Sequence, residues 1–267
     1  MAGSAPPGPP ATLITIPISH FCEKARWALD RCGVAYRERA HLQVLHVIAA
    51  RRAGGGRTVP VLVCGDGVLD DSSLILDHAD RRAPGPEWRL YPEDPDAAAE
   101  IRALERGLDE GLGPHGRRWM YHGVAARPRI ARRYAPTGVP AWERAALPLA
   151  LPVLSRVIDR ILDITPASAA ASLAEVRRAF DRIGERLSDG RPYLAGERFT
   201  AADLTFSALA AAVLMPPQYG VPIPRPDELP APMAATVREL REHPAGRHAL
   251  RMFATERRRG PGRVYAR

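Results

Sequence analysis

Lysine is almost missing from this chain of 267 residues: Lys24 is the only one, and the rest of the basic charge is arginine. That bias is the mark of a GC-rich coding sequence and carries no functional weight. Cysteine is scarce as well. Cys22, Cys32 and Cys64 show no framework spacing, which excludes a disulfide-stapled scaffold and suits a reducing compartment. Aromatic residues make up only 6% of the chain, and no aromatic strand of the RNA-binding type, zinc-ligand spacing or recognition-helix pattern accompanies the net charge of +8. Five of the arginines, Arg257, Arg258, Arg259, Arg263 and Arg267, fall in a Gly/Pro-punctuated basic tail over 257–267 that is expected to fray. Nucleic acid is therefore not the expected partner, and no bound metal is expected. No apolar run reaches membrane-spanning length, because the most apolar later stretch, 145–154, is short and holds two prolines. Residues 1–11 lack a basic or apolar signal region and read as a disordered tail, so the expected location is cytoplasmic.

What is present is ordinary globular material, 46% apolar and 25% charged, in a length that suits two small cores better than one. The stretch over 12–26, TLITIPISHFCEKAR, is an apolar strand that breaks at Pro17 and turns directly into a helix. Ser19 is the natural N-cap, and Cys22 falls three residues later, where the helix dipole favours a thiolate. Cys22 also shares an apolar stripe with Ala25, Leu29 and Cys32, the pattern of a buried, inert thiol. Gly33 ends the helix, and 34–39 reads as a second strand. A short helix follows before Gly54-Gly55-Gly56. Residues 58–63 read as a strand despite Pro60, which a cis Val59–Pro60 bond would accommodate. Gly65-Asp66-Gly67 marks a hairpin, Val68-Leu69 the return strand, and Asp71-Ser72 the start of a helix whose inner face includes Leu74, Ile75 and Ala79.

This order of strands and helices over 12–84 is that of an α/β thioredoxin-like domain. A proline-rich linker over 85–95 then leads into an all-α domain over 96–256. In it, a helix starts near Asp96 and runs through Ile101, Leu104 and Leu108 toward His122. A second stripe joins Leu173, Val176, Phe180, Ile183 and Leu187, closed by Gly190. Phe199-Thr200-Ala201-Ala202-Asp203-Leu204 is a capping box with a hydrophobic staple. The segment over 134–166 reads as a pocket cover, and the proline-rich stretch over 216–232 as an extended connection before two short helices.

SHFCEKAR, RTVPVLV and DDSSLILDHA, in that order, resemble the N-terminal domain of cytosolic glutathione transferases, and YLAGERFTAADLTF resembles the buried-helix motif of that family's second domain. The resemblance implies a glutathione-dependent transferase with a detoxification role, working as a homodimer, with glutathione as co-substrate and a small electrophile as partner. Ser19 then matches the serine form of the thiol-activating position, and Cys22 the second cysteine of glutaredoxin-like members. Val59 and Pro60 would hold the peptide part of glutathione, and Asp71 and Ser72 its γ-glutamyl end. His20, His41, His46 and Arg57 are neighbours to consider for the glycyl carboxylate, and Phe21, Arg117, Arg118 and Tyr121 for the electrophile pocket. Whether Ser19 or Cys22 carries the chemistry stays open, as do a thiol reductase or isomerase and a non-catalytic binding protein with this fold.

Overall fold

The computed structural model describes residues 10–125 and 128–261; residues 1–9 of the expected N-terminal tail, and Arg263 and Arg267 of the basic tail, lie outside them. The first part of the chain runs β1 (Ala11–Thr15), α1 (His20–Arg31), β2 (Tyr36–Ala40), α2 (His46–Arg52), β3 (Val61–Cys64), β4 (Gly67–Leu69) and α3 (Ser72–Asp80). The four strands stand in the order β2-β1-β3-β4, with β1 and β2 parallel and the other two pairs antiparallel. A parallel pair needs a crossover, and α1 supplies it, whereas β3 and β4 need only the Gly65-Asp66 turn. This is the thioredoxin-like layout.

Two local expectations shift. The strand expected over 58–63 begins only at Val61, and the Val59–Pro60 peptide just before it is cis. Proline has no N–H for a ladder, so it sits ahead of the strand and not within it. On α3, Ile75, Leu76 and Ala79 are buried while Leu74 is 47% exposed, so Leu74 does not belong to the inner face.

The remainder is helical: α4 (Pro95–Glu110), α5 (Leu112–Ala125), α6 (Pro128–Tyr134), α7 (Ala141–Ile161), α8 (Pro166–Arg186), α9 (Ala201–Leu214), α10 (Ala231–Glu242) and α11 (Pro244–Thr255). The helix expected to run from Asp96 toward His122 is two helices, interrupted at Gly111; Asp94 caps the first by accepting from the N–H groups of Asp96 and Ala97. Every residue of α9 is buried, as an all-round apolar helix must be. Asp203 carries out the expected cap, accepting the Thr200 N–H at 3.0 Å, and also accepts from the Leu194 N–H and pairs with His248. The segment over 134–166 is mostly α7, continuous through Pro148 and Pro152. The two prolines lie four residues apart on the exposed side of the helix, where the carbonyls they free meet water. Among the described residues no helix is long and apolar enough to cross a membrane.

The least ordinary feature is α1. It is packed between α3 on one side and α9 on the other, so its polar positions have no water to face. Glu23, Lys24, Arg26, Asp30 and Arg31 are all buried, and each finds partners. Lys24 reaches Glu105 and Asp109 of α4 at 2.8 and 2.6 Å. Arg26 meets Glu38 of β2 at 2.7 Å, and Arg31 meets Glu256 at 2.9 Å. Arg257, assigned from sequence to a frayed tail, is instead buried against α1: its Nε donates to Glu23 at 2.6 Å and its Nη1 to Asp30 at 2.9 Å. Its guanidinium also lies over the Trp27 ring. The tail reading fails at this residue because nothing in sequence separates a solvated arginine from one drawn back onto buried acids.

Removing one member of such a cluster strands the others without solvent, which costs about 3–5 kcal/mol. Arg257→Ala is therefore expected to lower the unfolding free energy by about that amount, measured by denaturant titration. A loss below about 1 kcal/mol would show that this corner is open to water.

Candidate functional site

The chain leaves β1 at Thr15 and enters α1 at His20, and the turn between them is held from three sides. Ser19 caps α1, its Oγ accepting from the Cys22 N–H at 3.4 Å. Tyr219, from the proline-rich stretch before α10, donates its hydroxyl to the Ile18 carbonyl at 3.2 Å. The Arg26 guanidinium donates to the Pro17 carbonyl at 3.1 Å. The Ser19 hydroxyl is half-buried and belongs to the outer turn of the helix, where the peptide dipoles present their positive end.

Two cavities flank this turn. The first is an open polar cleft of about 570 Å³ between the start of α3, the Val59–Pro60 bend and the facing sides of α4 and α5. It brings Val59, Pro60, Asp71 and Ser72 together, as the sequence reading asked, and adds Phe21 and Arg117. The second is an apolar cavity of about 80 Å³ under α6 and α7, walled by residues such as Ile18, Met120, Tyr121, Leu147 and Leu151. Ser19 lines neither, but Ile18 before it opens on the apolar cavity and Phe21 after it on the polar cleft. The expected pocket cover over 134–166 does supply walls of the apolar cavity, through Leu147, Leu151 and Leu154.

The polar cleft is charged on both sides. Asp71 caps α3 by accepting the Ser73 N–H at 2.7 Å. Ser73 donates to Glu105 at 2.7 Å and accepts from Lys24, so the only lysine of the chain stands behind the cleft wall. Burial works against the Glu105 carboxylate, but Lys24, with hydrogen bonds from Lys24, Tyr91 and Ser73, brings it below its usual range. Asp109 keeps the opposite balance: burial raises it above the ordinary value against the pull of Lys24. One lysine thus serves two carboxylates and leaves acidic character facing the cleft. Across from them, Arg117 has its ionisation disfavoured by burial, and its Nε is without a hydrogen-bond partner among the described residues. His20 is buried, bonded through Nε2 to the Gly113 carbonyl at 3.0 Å, and held neutral, its pKa lowered to about 3 by burial and then by Arg117.

Several sequence expectations change here. Cys22 is fully buried, and burial pushes its thiol up to about 11, overriding the Arg26 charge and the Ser19 contact that favour the thiolate. Its surroundings are those of a packing residue and disfavour the thiolate. Of the residues expected in one electrophile pocket, Phe21 and Arg117 face the polar cleft, and Tyr121 lines the apolar cavity, its hydroxyl accepting from Gln43 at 3.0 Å. Arg118 is in neither: it donates to the Leu162 carbonyl at 2.8 Å and to Ser172, tying α5 to α8. His41 is taken up by the buried Glu143 of α7 at 2.6 Å, and His46 sits against the Arg57 backbone. Sequence missed Tyr219, Glu143 and Asp109, because their roles depend on contacts across 85 or more residues of chain.

Comparison with known proteins agrees with this architecture. The family model described as glutathione S-transferase, N-terminal domain, matches residues 13–87, and the one described as glutathione S-transferase, C-terminal domain, matches residues 166–231. No curated protein matches the sequence significantly. Among solved structures, glutathione transferase GSTFuA3 from Phanerochaete chrysosporium is 15% identical with a TM-score of 0.60, over 92% of this chain and 96% of that one. A glutathione S-transferase from Methylobacterium radiotolerans in complex with glutathione sulfonate is 18% identical with a TM-score of 0.52, over 97% and 99%. The theta class enzyme from Xanthomonas axonopodis pv. citri with glutathione bound is 22% identical with a TM-score of 0.50, over 91% and 97%. At such identities the structural likeness is one of fold; the two matched family models together span more than half of the chain. This protein belongs to the cytosolic glutathione S-transferase superfamily.

Proposed function

We propose that the protein is a glutathione-dependent transferase in which Ser19 activates the thiol of bound glutathione for attack on a small electrophile. The observation that carries this reading is the single cleft that collects Val59, Pro60, Asp71 and Ser72 next to the Ser19 turn, with a separate apolar cavity on the other side of that turn. Two of the structural relatives hold glutathione or its sulfonate, which supports glutathione as the thiol. The family resemblance extends the proposal to a cytoplasmic homodimer with a detoxification role.

In this reading the γ-glutamyl carboxylate takes the Ser72 hydroxyl and the amide groups at the start of α3, and its ammonium faces Asp71 and the acidic surplus at Asp109. The cysteinyl residue pairs with the Val59 backbone as an added strand does. Arg117 supplies a cation whose desolvation is already in place before any anionic group arrives. Ser19 already accepts a hydrogen bond from the Cys22 N–H, so its own hydrogen is available to the glutathione sulfur. Together with the positive end of α1, that donor stabilises the thiolate over the thiol. The thiolate then displaces the leaving group of an electrophile seated in the apolar cavity, and the leaving group departs with the electron pair. A reductase built on Cys22 is the weaker reading, because its sulfur is buried and burial pushes the thiol up to about 11.

Ser19→Ala is expected to lower kcat/KM for an aromatic halide by about 10²-fold, equivalent to about 2.7 kcal/mol of transition-state stabilisation. Cys22→Ser, in folded protein, is expected to leave conjugation unchanged. Equal activity in Ser19→Ala, or loss confined to Cys22→Ser, would reverse the assignment. Arg117→Ala is expected to raise the KM for glutathione about tenfold with a smaller change in kcat, the pattern of a lost ground-state contact; a fall in kcat alone would remove Arg117 from the binding role.

A further inference from the structure

A second cluster of reactive side chains lies outside both cavities, where the β3–β4 hairpin meets the C-terminal half of α3. Cys64 ends β3, Asp66 occupies the turn, and His78 stands six residues beyond the start of α3. The three are far apart in character, a thiol, a carboxylate and an imidazole, yet their donor atoms all lie within 4.8 Å of one another. His78 Nδ1 is the hub, 3.2 Å from Asp66 Oδ2 and 3.8 Å from Cys64 Sγ. The ring is 2% exposed, so its orientation is fixed by packing and not by the ligand it awaits.

We propose that Cys64, Asp66 and His78 form a binding site for a divalent transition metal, with Zn²⁺ the best match. One sulfur, one imidazole nitrogen and one carboxylate oxygen make a mixed set that suits this borderline ion better than Mg²⁺ or Ca²⁺, which demand oxygen ligands. Tetrahedral zinc with bonds of about 2.0–2.3 Å places its ligand atoms about 3.3–3.6 Å apart. The His78–Asp66 separation is already there, and the His78–Cys64 separation is within a small side-chain adjustment of it. Asp66 sits on an exposed turn, its side chain 46% exposed, so it closes in by shifting together with its Arg82 partner. Its exposure also leaves the fourth position open to water.

The surroundings are those of a supported ligand set. Arg82 holds both Asp66 oxygens at 2.8 Å, the kind of outer contact that orients a ligating carboxylate, at the cost of one positive charge nearby. Burial and then Arg82 shift the His78 ring below its ordinary pKa, and coordination takes imidazole in its neutral form. The Cys64 thiol now points at the Gly67 carbonyl, 3.6 Å away. On metal binding it gives its proton to solvent and coordinates as thiolate, so one thiolate and one carboxylate balance the double charge of the ion. An Asp66–Arg82 clip alone would account for the hairpin's closure, but it uses neither the sulfur nor the inward-turned imidazole nitrogen.

The test uses the full chain and the metal alone. Titration with Zn²⁺ against a chromophoric chelator is expected to show one tight equivalent, and Co²⁺ to give a thiolate-to-cobalt charge-transfer band. Cys64→Ser should abolish the band and weaken Zn²⁺ binding on the order of 100-fold, and Asp66→Asn about tenfold. Both side chains are accessible enough for the variants to fold, which circular dichroism checks. Zn²⁺ should also slow alkylation of Cys64, the signal being clean because Cys22 and Cys32 are buried. No bound equivalent, or an affinity that Cys64→Ser leaves at the parent value, overturns the proposal.

Discussion

The helix that follows the first strand is the constraint on which the rest of the molecule depends. Five charged residues lie in its twelve positions, and packing on both sides leaves none of them to solvent. Each buried charge has to be met by a partner, and the partners come from everywhere: Glu38 on β2, Glu105 and Asp109 on α4, Glu256 and Arg257 beyond α11. Buried ion pairs of this kind give little net stability compared with apolar packing, but breaking one is costly, so they fix which surfaces may meet. Here they join the thioredoxin-like part to the helical part in one register. Trp27, set between Phe199 and Phe253, supplies the apolar contact at the same joint.

That joint also shapes the candidate site. The same helix carries Ser19 at its outer end and Lys24 behind the cleft wall, so the hydroxyl and the acidic surplus of the cleft are set by a single rigid body. Tyr219, pinning the Ile18 carbonyl, belongs to the connection whose next residue, Gly220, donates its N–H to Glu23 at 3.0 Å. A Cβ at Gly220 would come within 2.4 Å of the Glu23 carboxylate, so this close approach needs glycine. The ion network and the turn that presents the serine are therefore mechanically one unit. Burial that disfavours the Cys22 thiolate is the other side of the same packing.

Much of this was legible in sequence where the signal was local. Ser19 as a cap, the Val59–Pro60 bend, the Asp71 cap of α3 and the Thr200–Asp203 box each depend on residues within a turn of one another, and the structure has them as read. What escaped was set by distance or by burial. The dipole argument for a Cys22 thiolate was sound locally and lost to desolvation, which only the packed helices supply. Arg257 looked like tail because Gly260 and Pro261 follow it, while its partners sit more than 220 residues earlier. The segment over 134–166 gave no helix in sequence, and α7 runs through it with Pro148 and Pro152 on its exposed side. Arg118 and Tyr121, three residues apart, lie on neighbouring positions of one side of α5, yet Arg118 reaches Leu162 and Ser172 while Tyr121 lines the apolar cavity, a division set by which elements pack there and not by spacing.

The central claim is that glutathione lies across the polar cleft with its sulfur delivered to Ser19. A crystal structure of the protein with glutathione tests it most directly. The account predicts the γ-glutamyl end at Asp71 and Ser72, the cysteinyl backbone against Val59, and the sulfur within hydrogen-bond distance of Ser19 Oγ. A tripeptide whose sulfur sits away from Ser19, or a cleft that stays empty at saturating glutathione, would contradict it.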